Sequence, residues 1–132
     1  MISGTKRRRY TIMVAEDFDD TRMLLRKMLE VNGYEVMEAV NGQEAVDLVW
    51  KQCPDLILMD LNMPTLDGLA ATEQIRQCKE LCKEVTILAI TAYDTHGMKE
   101  AALEVGCDGY LTKPIDFDHL QTIIDRILVS HR

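Results

Sequence analysis

The sequence lacks any apolar run near the roughly 18 residues that a bilayer crossing needs, which excludes a transmembrane helix and predicts no membrane insertion. It also lacks an apolar stretch of signal-peptide length around its basic N-terminal run, Lys6-Arg7-Arg8-Arg9, so a cytoplasmic location is the default expectation. No G-x-x-x-x-G-K-[ST] loop is present to cradle a nucleotide. The four cysteines, Cys53, Cys78, Cys82 and Cys107, lack CxxC spacing and, without an export signal, are expected to be reduced thiols. Cys78 and Cys82 could share a helix face, yet no histidine lies close in sequence to complete a zinc site. Basic charge is scarce too: 15 Lys and Arg face 22 acids, a net charge of −7. Setting aside the N-terminal run leaves 22 acids against 11 bases, and a body that acidic repels phosphate backbones, so no direct DNA binding is expected.

What remains is 132 residues, 47% hydrophobic and 28% charged: enough for one globular domain and too apolar for a disordered chain. Short β-branched runs alternate with helical patterns and no low-complexity linker interrupts them. Strands are predicted at 11–15, 34–39, 55–60, 85–90 and 109–112. The third and fourth, with Leu56-Ile57-Leu58-Met59 and Val85-Thr86-Ile87-Leu88-Ala89-Ile90, are nearly continuous apolar runs, the pattern of a central parallel strand covered on both faces.

Helical signals fill the intervals. Leu24, Leu25, Met28 and Leu29 form an apolar stripe stopped at Asn32-Gly33. Asn41 and Glu44 have capping-box spacing ahead of Ala45, Val46 and Val49, and Pro54 bars continuation. Asp67, Asp94 and Asp116 are candidate caps for three further helices, the third running toward Leu81, the fourth ending at Gly106 and the fifth turning Leu120, Ile123, Ile124, Ile127 and Leu128 inward. Five βα units with right-handed crossovers make an α/β fold, a doubly wound five-stranded parallel sheet. Ligands of such sheets bind at the carboxyl ends of the strands, near the reversal of strand order.

Reactive side chains collect at that edge. Glu16-Asp17 follow strand one, Asp60 closes strand three ahead of Leu61-Asn62-Met63-Pro64, Thr91 follows strand four and Lys113-Pro114 follow strand five. Exposed acids at loop starts are usually solvated caps, and Thr91, Tyr110 and Lys113 taken singly are ordinary. Asp60 is different, because a carboxylate directly after four apolar residues needs a reason. Three converging carboxylates repel one another unless a cation enters, and a hard, all-oxygen donor set suits Mg²⁺. Asp60 could then attack phosphorus as a carboxylate nucleophile, with Lys113 and Thr91 contacting the phosphoryl oxygens.

Taken together, Glu16-Asp17, Asp60 with Met63-Pro64, Thr91-Ala92 and Gly109-Tyr110-Leu111-Thr112-Lys113-Pro114 resemble the receiver domain of two-component response regulators. The resemblance covers roughly residues 10 to 128. It implies a flavodoxin-like (βα)5 fold with strand order 2-1-3-4-5, a receiver over residues 10–129 and tails at 1–9 and 130–132. It implies that Asp60 is the phosphoacceptor for a sensor histidine kinase or histidine phosphotransfer protein. Glu16, Asp17, Asp60 and the backbone carbonyl of Asn62 would hold Mg²⁺, Asp17 directly and Glu16 through water, with Glu standing where Asp is more frequent. Thr91 and Lys113 would contact the phosphoryl group, and Thr91 with Tyr110 would form the switch that alters the surface of the fourth helix, fifth strand and fifth helix. Pro114 matches a proline whose peptide bond is often cis.

Such a domain is a self-phosphorylating and self-dephosphorylating signalling module rather than an enzyme acting on a separate substrate. Tyr93 is expected to slow hydrolysis of the acyl phosphate, and the first helix near Phe18, Arg22 and Met23, with the loop after strand five, to meet the kinase. The chain ends soon after the fifth helix, so output is expected to pass through a downstream target protein, with a phosphorylation-dependent dimer as a further expectation. His96, His119 and His131 are expected to be exposed bystanders. Two rivals are weaker. A phosphatase of the haloacid dehalogenase kind needs a second Asp two residues after the nucleophile, where Asn62 stands. A receiver acting by contact alone would not need Glu16, Asp17, Asp60, Thr91 and Lys113 together.

Overall fold

The computed structural model describes residues 9–78, 82, 84–92 and 96–128. Five strands, β1 (Thr11–Ala15), β2 (Glu35–Ala39), β3 (Leu56–Asp60), β4 (Thr86–Thr91) and β5 (Gly109–Thr112), form one sheet in the order β2-β1-β3-β4-β5. Every adjacent pair is parallel. Five helices, α1 (Asp19–Val31), α2 (Gly42–Lys51), α3 (Gly68–Arg76), α4 (His96–Glu104) and α5 (Phe117–Leu128), alternate with them. The predicted fold class and strand order are both met.

Period-two alternation along the strands divides the core in two. Ile12, Val14, Leu56, Leu58, Leu88 and Ile90 point to one face and meet Leu25 and Leu29 of α1 and Leu120, Ile124 and Leu128 of α5. Met13, Ala15, Ile57, Met59, Ile87 and Ala89 point to the other and meet α2, α3 and α4 through residues such as Val46, Ile75 and Ala102. β3 is buried at every position, which is why its sequence shows no polar alternation.

Most helix ends follow their local signals. Asn41 Oδ1 accepts the Glu44 N–H at 2.8 Å, and the Glu44 carboxylate accepts the Val40 N–H at 2.8 Å in return. Asp67 caps α3 through the Ala70 N–H at 2.8 Å, and Asp116 caps α5 through the His119 N–H at 3.1 Å. Gly33 and Gly106 end α1 and α4 with φ of 92° and 113°, a conformation that costs any side-chain-bearing residue.

Three expectations need correction. Leu24 is 56% exposed: one residue of helix turns it about 100° from Leu25, away from the seam that Leu25 and Leu29 bury. Cys78 and Cys82 do not share a helix face, since α3 ends at Arg76. Cys53 and Cys82 are not two separate thiols but a disulfide with Cα atoms 5.7 Å apart, leaving Cys78 and Cys107 free and buried. The cause is register, because the pairing of Leu56 with Thr86 brings together the segments that lead into β3 and β4.

The segment 1–8, the stretch of helix three toward Leu81, Tyr93, the Asp94 cap, the side chain of His96, and residues 129–132 including His131 lie outside the described residues. His119 is exposed, as expected.

Candidate functional site

The strand order reverses at β1, so the chain leaves β1 toward the α1 face and leaves β3 toward the opposite face. That divergence opens the crevice in which the predicted residues meet. The carboxylate oxygens of Glu16, Asp17 and Asp60 lie within 4.8 Å of one another.

Glu16 continues the β1 backbone, its N–H donating to the Ala39 carbonyl at 3.0 Å. The residue is fully buried while Asp17 is exposed. One Glu16 oxygen, Oε2, accepts the Phe18 N–H at 3.0 Å. The other, Oε1, makes no hydrogen bond and stands 3.4 Å from Lys113 Nζ. Asp60, the last residue of β3, is 1% exposed. Its Oδ1 accepts the Asn62 N–H at 3.0 Å, and its Oδ2 faces Lys113 Nζ at 3.3 Å. The ammonium of Lys113 thus bridges two buried carboxylates.

The carbonyl of Thr91, at the end of β4, accepts the Lys113 N–H at 2.9 Å, which carries the β4–β5 pairing up to the lysine. The Lys113-Pro114 peptide is cis. Thr91 is buried. Tyr110 pairs with Ala89 and so faces the same side of the sheet, half-buried, with Lys99 Nζ 5.0 Å from the centre of its ring. Every predicted site residue except Tyr110 is therefore at the crevice or directly attached to it.

Electrostatics follow from this burial. Loss of solvent raises the Glu16 carboxyl to about 7, and the neighbouring carboxyl of Asp60 adds to the rise. Burial also pulls the Lys113 ammonium down, but the charges of Asp60 and Glu16 outweigh it and leave its pKa above the usual lysine value. The donors are all oxygens, and one buried carboxylate oxygen lacks a hydrogen-bond partner. A hard divalent cation matches that chemistry, so the residues present fit Mg²⁺.

Sequence reasoning missed the groups that hold this pocket in shape. Arg22, half-buried on α1, donates to the Glu16 carbonyl at 3.0 Å, to Glu38 at 3.0 Å and to Asp19 at 2.6 Å. Gly68 lies so close to β3 that a Cβ there would stand 2.3 Å from the Asp60 carbonyl oxygen, and Gly42 likewise excludes a side chain against the Leu66 carbonyl. Thr65, in the same loop, has φ of 69°, a left-handed conformation strained for a β-branched residue. A glycine at the first position of a helix was a visible signal; the arginine on an acidic helix face was not.

Comparison with known proteins agrees with this geometry. Residues 12–125 match the model of the response regulator receiver domain. The polar-differentiation response regulator DivK of Brucella anthropi is 37% identical over 105 residues, covering 80% of this chain and 85% of that protein. The receiver domain of a sensor histidine kinase from Pseudomonas aeruginosa PAO1, with a magnesium ion coordinated in its active-site cleft, superposes with a TM-score of 0.83 at 36% identity, over 90% of this chain and 97% of that one. The receiver domain of the Saccharomyces cerevisiae response regulator Ssk1, co-crystallised with the histidine phosphotransfer protein Ypd1, gives 0.82 at 31% identity, over 89% and 88%. The fold and the acidic crevice define a doubly wound signalling domain of the two-component type. The chain belongs to the response regulator receiver domain family.

Proposed function

We propose that this receiver, spanning residues 10–129, accepts a phosphoryl group on Asp60 from the phosphohistidine of a sensor kinase or a histidine phosphotransfer protein. The reading rests on one observation above all, the meeting of three carboxylates within 4.8 Å beside an ammonium that bridges two of them. A carboxylate oxygen of Asp60 attacks phosphorus as the P–N bond to the imidazole breaks, and the released imidazole takes up a proton. Glu16, Asp17, Asp60 and the Asn62 carbonyl would hold Mg²⁺, which supplies charge neutralisation for the transferred group. Lys113 pairs with a phosphoryl oxygen, and Thr91 donates its hydroxyl proton to another.

Both steps, phosphorylation and hydrolysis, are carried out by the domain's own residues. Phosphorylation adds about 1.5 to 2 negative charges. Thr91 moves toward the new acceptor, and Tyr110, whose ring centre lies 5.0 Å from Lys99 Nζ, turns inward. The surface of α4, β5 and α5 then changes and is read by a downstream protein or by a second receiver. Relatives named as response regulators and as partners of a phosphotransfer protein support this assignment of partners. A cytoplasmic site of action follows from a histidine-kinase partner, and among the described residues no helix is long and apolar enough to cross a membrane.

Incubation with Mg²⁺ and a small phosphodonor, followed by intact-mass measurement, should show one added phosphoryl group in wild type and none in Asp60→Asn. Persistent addition at the same site in the variant would remove Asp60 from its role.

A further inference from the structure

At the end of the sheet opposite the acidic crevice, Cys53 and Cys82 join the segments that lead into β3 and β4. The two residues are unlike in access: Cys53 is exposed, whereas Cys82 is 3% exposed and packs in the core cluster that includes Val49, Cys78 and Val85. Each sulfur also has a backbone carbonyl within reach, that of Pro54 at 3.5 Å from Cys53 and that of Val49 at 4.0 Å from Cys82. Those carbonyls are acceptors available to the S–H groups once the bond opens and the sulfurs move apart. The 5.7 Å between Cα atoms lies inside the range that a disulfide spans without backbone movement.

We propose that Cys53 and Cys82 form a reversible redox modification site that exchanges with low-molecular-weight disulfides of the glutathione class. Access sets the order of events. The exposed Cys53 thiolate attacks a sulfur of glutathione disulfide, forming an S–S bond to one glutathione and releasing the other as a thiolate. Cys82 then attacks the Cys53 sulfur of this mixed disulfide and releases the second glutathione. Two thiols of the protein are oxidised, one glutathione disulfide is reduced to two glutathiones, and the two thiol protons pass to them. The closed bond spans a chain segment containing Asp60, Asn62 and all of α3, and it fixes the amino ends of β3 and β4 against each other. Cys78 and Cys107, both free and buried, are internal controls that should not take part.

The test equilibrates the full chain in buffers of graded reduced and oxidised glutathione, traps free thiols by alkylation under native conditions and again after denaturation, and locates links by peptide mass mapping. Through the oxidising half of the series the denatured chain should carry two alkyl groups, on Cys78 and Cys107, with a Cys53–Cys82 peptide link. Through the reducing half it should carry four, and the apparent melting temperature should fall by several degrees. Cys82→Ser should accumulate a stable glutathione adduct on Cys53, and Cys53→Ser should acquire none while melting like the reduced wild type. Four alkylatable thiols at every ratio, a link to Cys78 or Cys107, or an adduct on Cys53 that Cys82 does not resolve would each overturn the proposal. So would a disulfide that persists at every ratio, since the site would then be a fixed staple.

Discussion

Titrating the folded chain without divalent cations should isolate the electrostatic cost of the acidic crevice, because one carboxyl carries much of it. Glu16 has an ordinary pKa of 4.5 and is raised to about 7 in the fold, first by burial and then by Asp60. Between those two values the folded state holds a proton that the unfolded chain has released, so stability falls as pH rises. The contribution is fully present below pH 4.5 and lost above about pH 7. At about 1.4 kcal/mol per pKa unit, the loss attributable to Glu16 across this window is about 3 kcal/mol.

Urea unfolding in a chelator from pH 4.5 to 8, on wild type and Glu16→Gln, measures it directly. The neutral amide cannot lose a proton, so the variant should lack this slope and should exceed wild type at pH 8 by up to about 3 kcal/mol. Mg²⁺ should close most of that gap, because wild type keeps the Glu16 carboxylate that the variant lacks. At one hundred times its dissociation constant a ligand adds about 2.7 kcal/mol to the state that binds it. That gain should be large at pH 8, where the carboxylates are free to bind, and small at pH 5, where the ion competes with the proton. Parallel pH curves for the two proteins in chelator would refute the assignment of the cost to Glu16, and equal stabilisation by Mg²⁺ at pH 5 and pH 8 would refute the coupling.

The remaining perturbations address the frame around the crevice. Gly68→Ala places a Cβ where the Asp60 carbonyl stands at 2.3 Å, so backbone must move; a loss of about 3 kcal/mol in unfolding and slower phosphodonor labelling are expected, and a variant as stable as wild type would show that α3 yields freely. Arg22→Ala removes the charged donor on the Glu16 carbonyl and should cost about 2 kcal/mol. It should also weaken Mg²⁺ binding several-fold by calorimetry, with Arg22→Lys restoring only part of it; an unchanged affinity would leave Arg22 a purely structural residue. Thr65→Gly relieves a left-handed φ worth about 1 to 2 kcal/mol and costs about 0.5 to 1 kcal/mol in added unfolded-chain freedom, so a small net stabilisation should appear in thermal unfolding.

What could be read from the sequence is what local pattern specifies. The apolar run ending in Asp60 announced both a central strand and an acid without a local purpose, and Asn41, Asp67 and Asp116 announced helix starts that their hydrogen bonds now account for. Leu24 marks the limit of such reading, because an apolar residue one step off a helical seam has the same letter as one on it. Pairing across strands is invisible in the same way. Cys53 and Cys82 are 29 positions apart and are joined only by the register of β3 on β4, and Gly68 is constrained only by the return of α3 onto the end of β3. Arg22 reads from sequence as a surface contact for the kinase, and its bond to the Glu16 carbonyl appears only once the β1–α1 turn brings that carbonyl beneath it. The acidic pair shows what this means for the chemistry. In sequence Glu16 and Asp17 are neighbours of equal standing, yet the fold buries the first and exposes the second, so one is raised toward neutrality while the other faces water. The electrostatics of the crevice are thus set less by how many acids converge than by which of them the β1–β2 pairing draws out of solvent.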